Sequence, residues 1–103
     1  MILTTIGYIP HKDILEHYGL VCGSTVRAKN AFKDIGASLK NIVGGELKSY
    51  TELIEEARRE AMERMEAQAR DLGANAIINI RFATSNIAQG ASELYVYGTA
   101  VKI

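Results

Sequence analysis

The sequence predicts an α+β fold in which a small antiparallel sheet packs under one long helix, with a second, shorter helix. Segment 51–72 carries apolar residues at helical spacing, and a shorter pattern of the same kind covers 31–43. Segments 20–27, 76–84 and 93–103 instead alternate with a period of two, as strands do. A helix with one apolar stripe can bury that stripe against one face of such a sheet.

Length and charge limit the classes of function. The chain has 103 residues, which suits one domain over 1–103. Twelve basic residues balance twelve acidic ones, which argues against nucleic acid and anionic membranes as partners and weakens repulsion between copies. A single cysteine, no basic leader and no apolar run of the roughly 18 residues that a spanning helix needs predict a soluble, cytoplasmic protein.

The long helix has recognisable start and stop signals. Ser49 and Glu52 have the spacing of a capping box, in which both side chains bond free backbone N–H groups. Gly73 follows the last apolar residue, where a left-handed glycine commonly ends a helix. The apolar stripe is rich in alanine, which predicts a close approach to the sheet; it consists of Leu53, Ile54, Ala57, Ala61, Met65, Ala69 and Leu72.

The N-terminal third is less clearly patterned. Residues 2–6 read as a short strand. Residues 11–18 fit either a single helical turn or a loop, with Ile14 and Leu15 pointing inward. Gly23, inside the next strand, predicts a bulge or the close approach of another element.

Alternation assigns the side chains of the last two strands to faces. One face of 76–84 carries Ile78, Ile80 and Phe82. The face of the final strand predicted to meet the helix has small residues toward its C-terminal end, and consists of Leu94, Val96, Gly98 and Ala100. Its other face carries Tyr95, Tyr97, Thr99, Val101 and Ile103. An uncovered aromatic face often marks a contact with another chain, so a homo-oligomer is expected.

Several short motifs, in order and correctly spaced, resemble those of the YbjQ family. They are Gly44-Gly45-Glu46, Tyr50, Arg58-x-x-Ala61, Leu72-Gly73-Ala74-Asn75-Ala76 and Tyr97-Gly98-Thr99-Ala100-Val101, supported by Val26 and Phe32-Lys33-Asp34. The resemblance covers almost the whole chain. It implies a small bacterial or archaeal α+β protein similar to the dodecin subunit, assembled as a ring-shaped homopentamer. The family carries a heavy-metal-binding label without an established activity.

The heavy-metal label can be compared with the ligands present. Imidazole and thiolate groups suit such ions, and the chain offers His11, His17 and Cys22. In a helix, the two histidines would point about 120° apart, and a lone strand cysteine is usually a small buried residue. A metal site within one chain is therefore the lesser prediction. A ring could repeat one ligand around its axis, so a heavy-metal ion remains the one cofactor that these residues suggest.

The remaining candidates are expected to contact a ligand or a neighbouring copy, and are Glu46, Tyr50, Arg58, Asn75, Tyr95, Tyr97 and Thr99. The guanidinium of Arg58 lies at the edge of the apolar stripe, where it suits Glu46, an anion or another chain. Asn75 is expected to bond local backbone and fix the turn.

The sequence therefore predicts a binding or scaffold protein that forms a homo-oligomer, specifically a pentamer. Heavy-metal binding is the first alternative. The second is an enzyme that acts on a small anionic metabolite near Arg58 and Asn75. Catalysis is disfavoured because the sequence suggests no Ser-His-Asp or Cys-His pairing and no carboxylate pair away from the helix surface.

Overall fold

The computed structural model of the protein describes residues 1–28 and 48–103. Within them lie the following elements: β1 (Ile2–Leu3), β2 (Glu16–Ala28), α1 (Lys48–Leu72), β3 (Ala76–Ala88) and β4 (Ala91–Lys102). The α+β prediction is confirmed. The predicted second helix at 31–43 and the candidate Glu46 lie outside the described residues. No helix in the described part of the chain is both long and apolar enough to span a bilayer.

The strands form one mixed sheet in the order β1-β3-β4-β2. β4 pairs antiparallel with β2 and β3, whereas β1 runs parallel to β3, so the prediction of an antiparallel sheet is wrong at that edge. The predicted strand 2–6 is regular only as far as Leu3. The chain stays beside β3, since the Thr4 N–H donates to the Ile77 carbonyl at 3.0 Å. A regular ladder stops there because β3 bulges at the next positions.

A bulge in β3 decides which side chains meet the helix. The pairs on either side of it are Ile78–Thr99 and Arg81–Tyr97, so two residues of β3 oppose one of β4. Asn79 lies at this point with a φ of 54°. The extra residue inverts the alternation, as bulges do. Ile80 joins Ile77 in the core under the helix, while Ile78 packs on the other side. The prediction that Ile78, Ile80 and Phe82 share one face is therefore wrong.

The core lies between α1 and the sheet. The helix buries the middle of its predicted stripe, namely Ala57, Ala61, Met65 and Ala69. Ala61, Met65 and Ala69 pack in one cluster with Val21, Val96, Ala100 and Ile77, which come from three strands. The ends of the stripe are more open, since Ile54 and Leu72 are 40% and 45% exposed. The stripe prediction is thus confirmed for the central turns.

The helix makes a very close approach to the sheet at Gly23. A Cβ built there would lie 2.1 Å from the Ala61 carbonyl oxygen and 2.6 Å from the Met65 nitrogen. The close approach predicted at Gly23 is confirmed. Gly98 is on the face of β4 predicted to meet the helix, but a Cβ there would meet Ile77 Cγ2 of β3 at 2.7 Å. Its missing side chain makes room for β3 beside the bulge.

Backbone hydrogen bonds define the C-terminal end of α1. Gly73 has a φ of 92°, and its N–H donates to the Arg70 carbonyl at 2.9 Å. The Ala74 N–H donates to the Ala69 carbonyl at 3.0 Å, which completes a Schellman motif and confirms the predicted stop. The predicted start is wrong. The described helix already includes Lys48, so Ser49 lies within the helix rather than before it, as the capping box would require.

Residues 4–15 are called the N-terminal segment. Residues 4–6 continue beside β3, and the chain then passes over the side of the sheet opposite α1. Ile9 is buried there in a second small core with Ala76, Ile78, Val101 and Ile103. The helical turn considered for 11–18 is absent from this described stretch, because Glu16 already begins β2. The loop alternative is confirmed up to residue 15. Ile14 and Leu15 do not point inward as predicted; Ile9 makes the contact with the sheet instead.

Candidate functional site

The face of the sheet opposite α1 is open over much of its area. We call it the back face and define it by seven residues of β2 and β4: Leu20, Cys22, Ser24, Val26, Tyr95, Tyr97 and Thr99. Cys22 pairs with Tyr97, and paired residues of neighbouring strands project to the same side. Val21 and Val96, the alternate residues, enter the core under α1. Tyr95 and Tyr97 therefore lie on the side away from the helix, as their alternation predicts.

Large apolar side chains are exposed on the back face. Leu20 is 73% exposed, Val26 50% and Tyr97 36%. The rings of Tyr95 and Tyr97 have centroids 5.9 Å apart and are tilted by 30°, so together they form one aromatic surface. Contiguous exposed apolar patches on soluble proteins commonly mark interaction sites. The back face is therefore the strongest candidate interface in the described part of the chain.

Side chains of α1 fix the edge of this face. The Cys22 N–H donates to Gln68 Oε1 at 2.7 Å, and the Arg64 guanidinium donates to the Ser24 carbonyl. Gln68 and Arg64 are four residues apart on the helix, a rise of about 6 Å, and Cys22 and Ser24 are two residues apart on the strand, which is nearly the same distance. The two side chains can therefore reach successive backbone groups on the outer side of β2. They occupy outward-facing backbone groups of an edge strand, which otherwise invite strand addition. The sequence analysis did not identify Arg64 and Gln68 as contacts of the sheet. Their four-residue spacing, next to the alanine-rich stripe, is the sequence feature that could have indicated this role.

The three predicted metal ligands do not converge. His11 lies in a turn with a φ of 63°, His17 near the start of β2, and Cys22 on the back face. The separation between His17 and Cys22 along β2 is about 15 Å, too far to share one ion. No three His, Cys, Asp or Glu side chains within residues 1–27 and 51–103 are placed to hold a metal. The described residues therefore do not fit a heavy-metal site within one copy.

Arg58 borders a cleft between the first turns of α1 and the sheet. The cleft has a volume of about 320 Å³, and its lining includes Thr25, Arg27, Leu53, Ile54, Thr84 and Leu94. At its edge, Arg27 forms an ion pair with Glu60 at 3.2 Å. Asn75 lies beyond the far end of the helix, and the rise from Arg58 to Leu72 alone is about 21 Å. One small anion cannot contact both Arg58 and Asn75.

Asn75 ties the C-terminus of the described fold to the helix–strand turn. Its Nδ2 donates to the Ile103 carbonyl at 3.0 Å, and its Oδ1 accepts from the Ile103 N–H at 2.8 Å. Its own N–H donates to the Val101 carbonyl at 3.1 Å. The prediction that the Asn75 side chain bonds nearby backbone is therefore wrong, because its amide bonds the backbone of Ile103, 28 residues away in the sequence. A structural role accounts for all three bonds.

Tyr50, one of the residues predicted to contact a ligand or a neighbouring copy, lies in α1 near Lys48.

Tyr18, near the start of β2, has a pKa that its surroundings change. Its hydroxyl donates to Glu16 Oε2 at 2.6 Å. This hydrogen bond, with smaller contributions from burial and from the charge of Glu16, raises the pKa of Tyr18 above its ordinary value. Tyr18 therefore stays protonated and does not supply a phenolate near neutral pH.

Comparisons with known proteins found relatives that match the chain over nearly its full length. The profile of the YbjQ family, described as "Putative heavy-metal-binding", matches residues 1–103. A UPF0145 protein from Hahella chejuensis is 65% identical over 101 residues, covering 98% of this chain and 97% of the relative. A UPF0145 protein from Archaeoglobus fulgidus is 52% identical over 103 residues, covering 100% and 95%. Similar chains thus occur in bacteria and archaea.

The fold is shared with a crystal structure at low sequence identity. A protein of unknown function from Pediococcus pentosaceus, assigned to the DUF74 family, superposes with a TM-score of 0.66. The match covers 100% of this chain and 97% of that one, at 18% identity. At this identity the likeness concerns the fold.

Proposed function

The chain belongs to the YbjQ family, and we propose that it acts as a self-assembling binding or scaffold module whose copies meet through the back face. The observation that carries this proposal is the exposed surface formed by Leu20, Val26 and Tyr97. The proposed assembly is a dodecin-like ring of five copies in the cytoplasm. Any ligand would then bind between copies or along the axis of the ring.

Physical chemistry favours covering the back face. Fully burying a large apolar side chain stabilises a protein or complex by about 1.5–3 kcal/mol. Leu20 is 73% exposed, so an interface that covered it would provide most of this stabilisation. A net charge of zero adds little overall repulsion between copies. A stable interface buries roughly 800 Å² on each partner, so the whole face has to take part rather than one side chain.

The assembly can be tested by size-exclusion chromatography with light scattering at micromolar concentration. We expect a mass about five times that of the 11.3 kDa chain. Tyr97→Glu should shift the protein toward monomer because a carboxylate would have to be desolvated in the contact. Ile54→Glu is the matched control, since Ile54 is an exposed apolar residue of α1, which lies on the other side of the sheet. A monomeric wild-type protein would contradict the proposal.

Heavy-metal binding between copies is the second candidate. It is favoured by the family description and by Cys22, whose thiol is exposed on the surface proposed to be shared. Because one described copy does not bring three donors together, ligands from several copies would have to converge.

Calorimetric titration of the wild-type protein with Cd²⁺ tests this candidate. Stoichiometric binding should be lost in Cys22→Ser, which removes the thiolate, and in Tyr97→Glu, which removes the assembly. Ile54→Glu should bind as the wild type does. Absence of binding to the wild type, or undiminished binding by monomeric Tyr97→Glu, would exclude a site built between copies.

A further inference from the structure

The cleft beside Arg58 lies on the helix side of the sheet and is separate from the back face. Its volume of about 320 Å³ is at the lower end of the range of about 300–1,000 Å³ that is usual for small-molecule sites. Leu53, Ile54 and Ala57 of α1 and Leu94 of β4 form an apolar wall. The cleft is therefore large enough for a small molecule, and its wall suits an apolar body.

The register of the sheet determines which side chains face this cleft. Thr84 of β3 pairs with Leu94 of β4. Arg27 of β2 pairs with Ser92 of β4. Val96, two residues beyond Leu94, packs in the core under α1, and alternate residues of a strand share one side. The two hydroxyl side chains and the guanidinium of Arg27 therefore lie on the helix side, where they line the cleft.

Glu93 also borders the cleft, but its carboxylate is directed away from it. Glu93 lies between Ser92 and Leu94, so alternation turns its side chain to the opposite side of the sheet. There it accepts a hydrogen bond from the hydroxyl of Ser85, its partner on β3, at 3.3 Å. This carboxylate therefore does not repel an anion that enters the cleft.

The remaining charges around the cleft leave a positive excess. Arg27 forms its ion pair with Glu60 at 3.2 Å, so these two charges largely neutralise each other. Arg58 is exposed and has neither an ion pair nor a side-chain hydrogen bond to another residue of the described parts of the chain. Its guanidinium thus places an unbalanced positive charge beside the apolar wall.

From these features we propose that the cleft binds a small monocarboxylate with an apolar body. The Arg58 guanidinium pairs with the carboxylate, because its planar fork of donors matches two carboxylate oxygens. The apolar body lies against Leu53 and Leu94. This site goes beyond the proposed assembly, since the residues that form it belong to one copy.

Calorimetric titration of the full chain with octanoate tests the proposal, with octanamide as the uncharged analogue. The wild type should bind one octanoate per chain and prefer it to octanamide. Arg58→Gln should weaken octanoate binding about tenfold or more and leave octanamide binding unchanged, because a hydrogen bond to a charged group is lost. Arg59→Gln is the matched control: it removes the same charge from the next residue of α1, which is not among those that line the cleft, and it should bind as the wild type does.

Two further variants locate the bound molecule. Thr84→Phe should fill the cleft and abolish binding of both compounds, while circular dichroism stays unchanged because Thr84 is exposed. Tyr97→Glu should bind octanoate as the wild type does, since it alters only the back face.

Several results would overturn the inference and leave the proposed assembly intact. They are absence of octanoate binding by the wild type, equal weakening by Arg58→Gln and Arg59→Gln, and undiminished binding by folded Thr84→Phe. Loss of octanoate binding in Tyr97→Glu would place the molecule between copies and would also overturn it. A monomeric wild-type protein that binds octanoate through Arg58 would contradict the proposed assembly alone.

Discussion

Replacing Gly23 with alanine is expected to lower the free energy of unfolding by about 3 kcal/mol or more, because overpacking against fixed backbone is costly. The added Cβ would lie 2.1 Å from the Ala61 carbonyl oxygen and 2.6 Å from the Met65 nitrogen. Both atoms belong to the helix backbone, so a side-chain rotation cannot relieve the contact. The helix would have to lift from β2, which would open the core around Val21.

Urea denaturation followed by circular dichroism measures this effect. Protein concentration must be held constant, since assembly stabilises the folded state by mass action. Ser24→Ala is the matched control, because Ser24 follows Gly23 on the same strand but faces away from the helix. Its side chain makes no hydrogen bond within the described residues, so a change within about 0.5 kcal/mol is expected. Wild-type stability in Gly23→Ala would show that the helix does not lie this close to β2.

Local sequence signals predicted the features that depend on one element. The four-residue spacing of Ala57, Ala61, Met65 and Ala69 identifies the buried side of a helix without knowledge of its partner. Gly73 ends that helix through its own backbone conformation. Alternation along β4 likewise separates the tyrosines from the residues under the helix. Each of these signals lies within one continuous segment.

Features that depend on contacts between distant segments escaped prediction. Ile77, Ile78 and Ile80 offer no polar position that would reveal an inverted alternation, so the bulge at Asn79 is hidden in the sequence. His17 and Cys22 are kept apart because both lie on the extended strand β2, and the sequence did not show that this strand begins as early as Glu16. Asn75 finds its partner in Ile103 only after β4 has paired with β3. The side chains that form the candidate site were therefore predictable in part, but their neighbours were not.

Truncation of Met65 to alanine is expected to cost about 2–5 kcal/mol of unfolding free energy, the range for large-to-small changes in a well-packed core. Met65 is among the largest fully buried side chains and has no exposed surface. Alanine residues precede and follow it on the stripe, at Ala61 and Ala69. They have no longer side chains to fill the resulting cavity, so collapse around it requires movement of the helix itself.

Met62→Ala supplies the matched comparison for this prediction. Met62 lies one turn earlier and is only half-buried at the margin of the same cluster, so its truncation should cost clearly less. Met65→Leu should cost less than about 1.5 kcal/mol because it nearly conserves side-chain volume. Urea midpoints at equal protein concentration give the three values. Equal losses for the two alanine variants would mean that Met65 is not at the centre of the core, and the alanine-rich stripe would then not be the side that packs on the sheet.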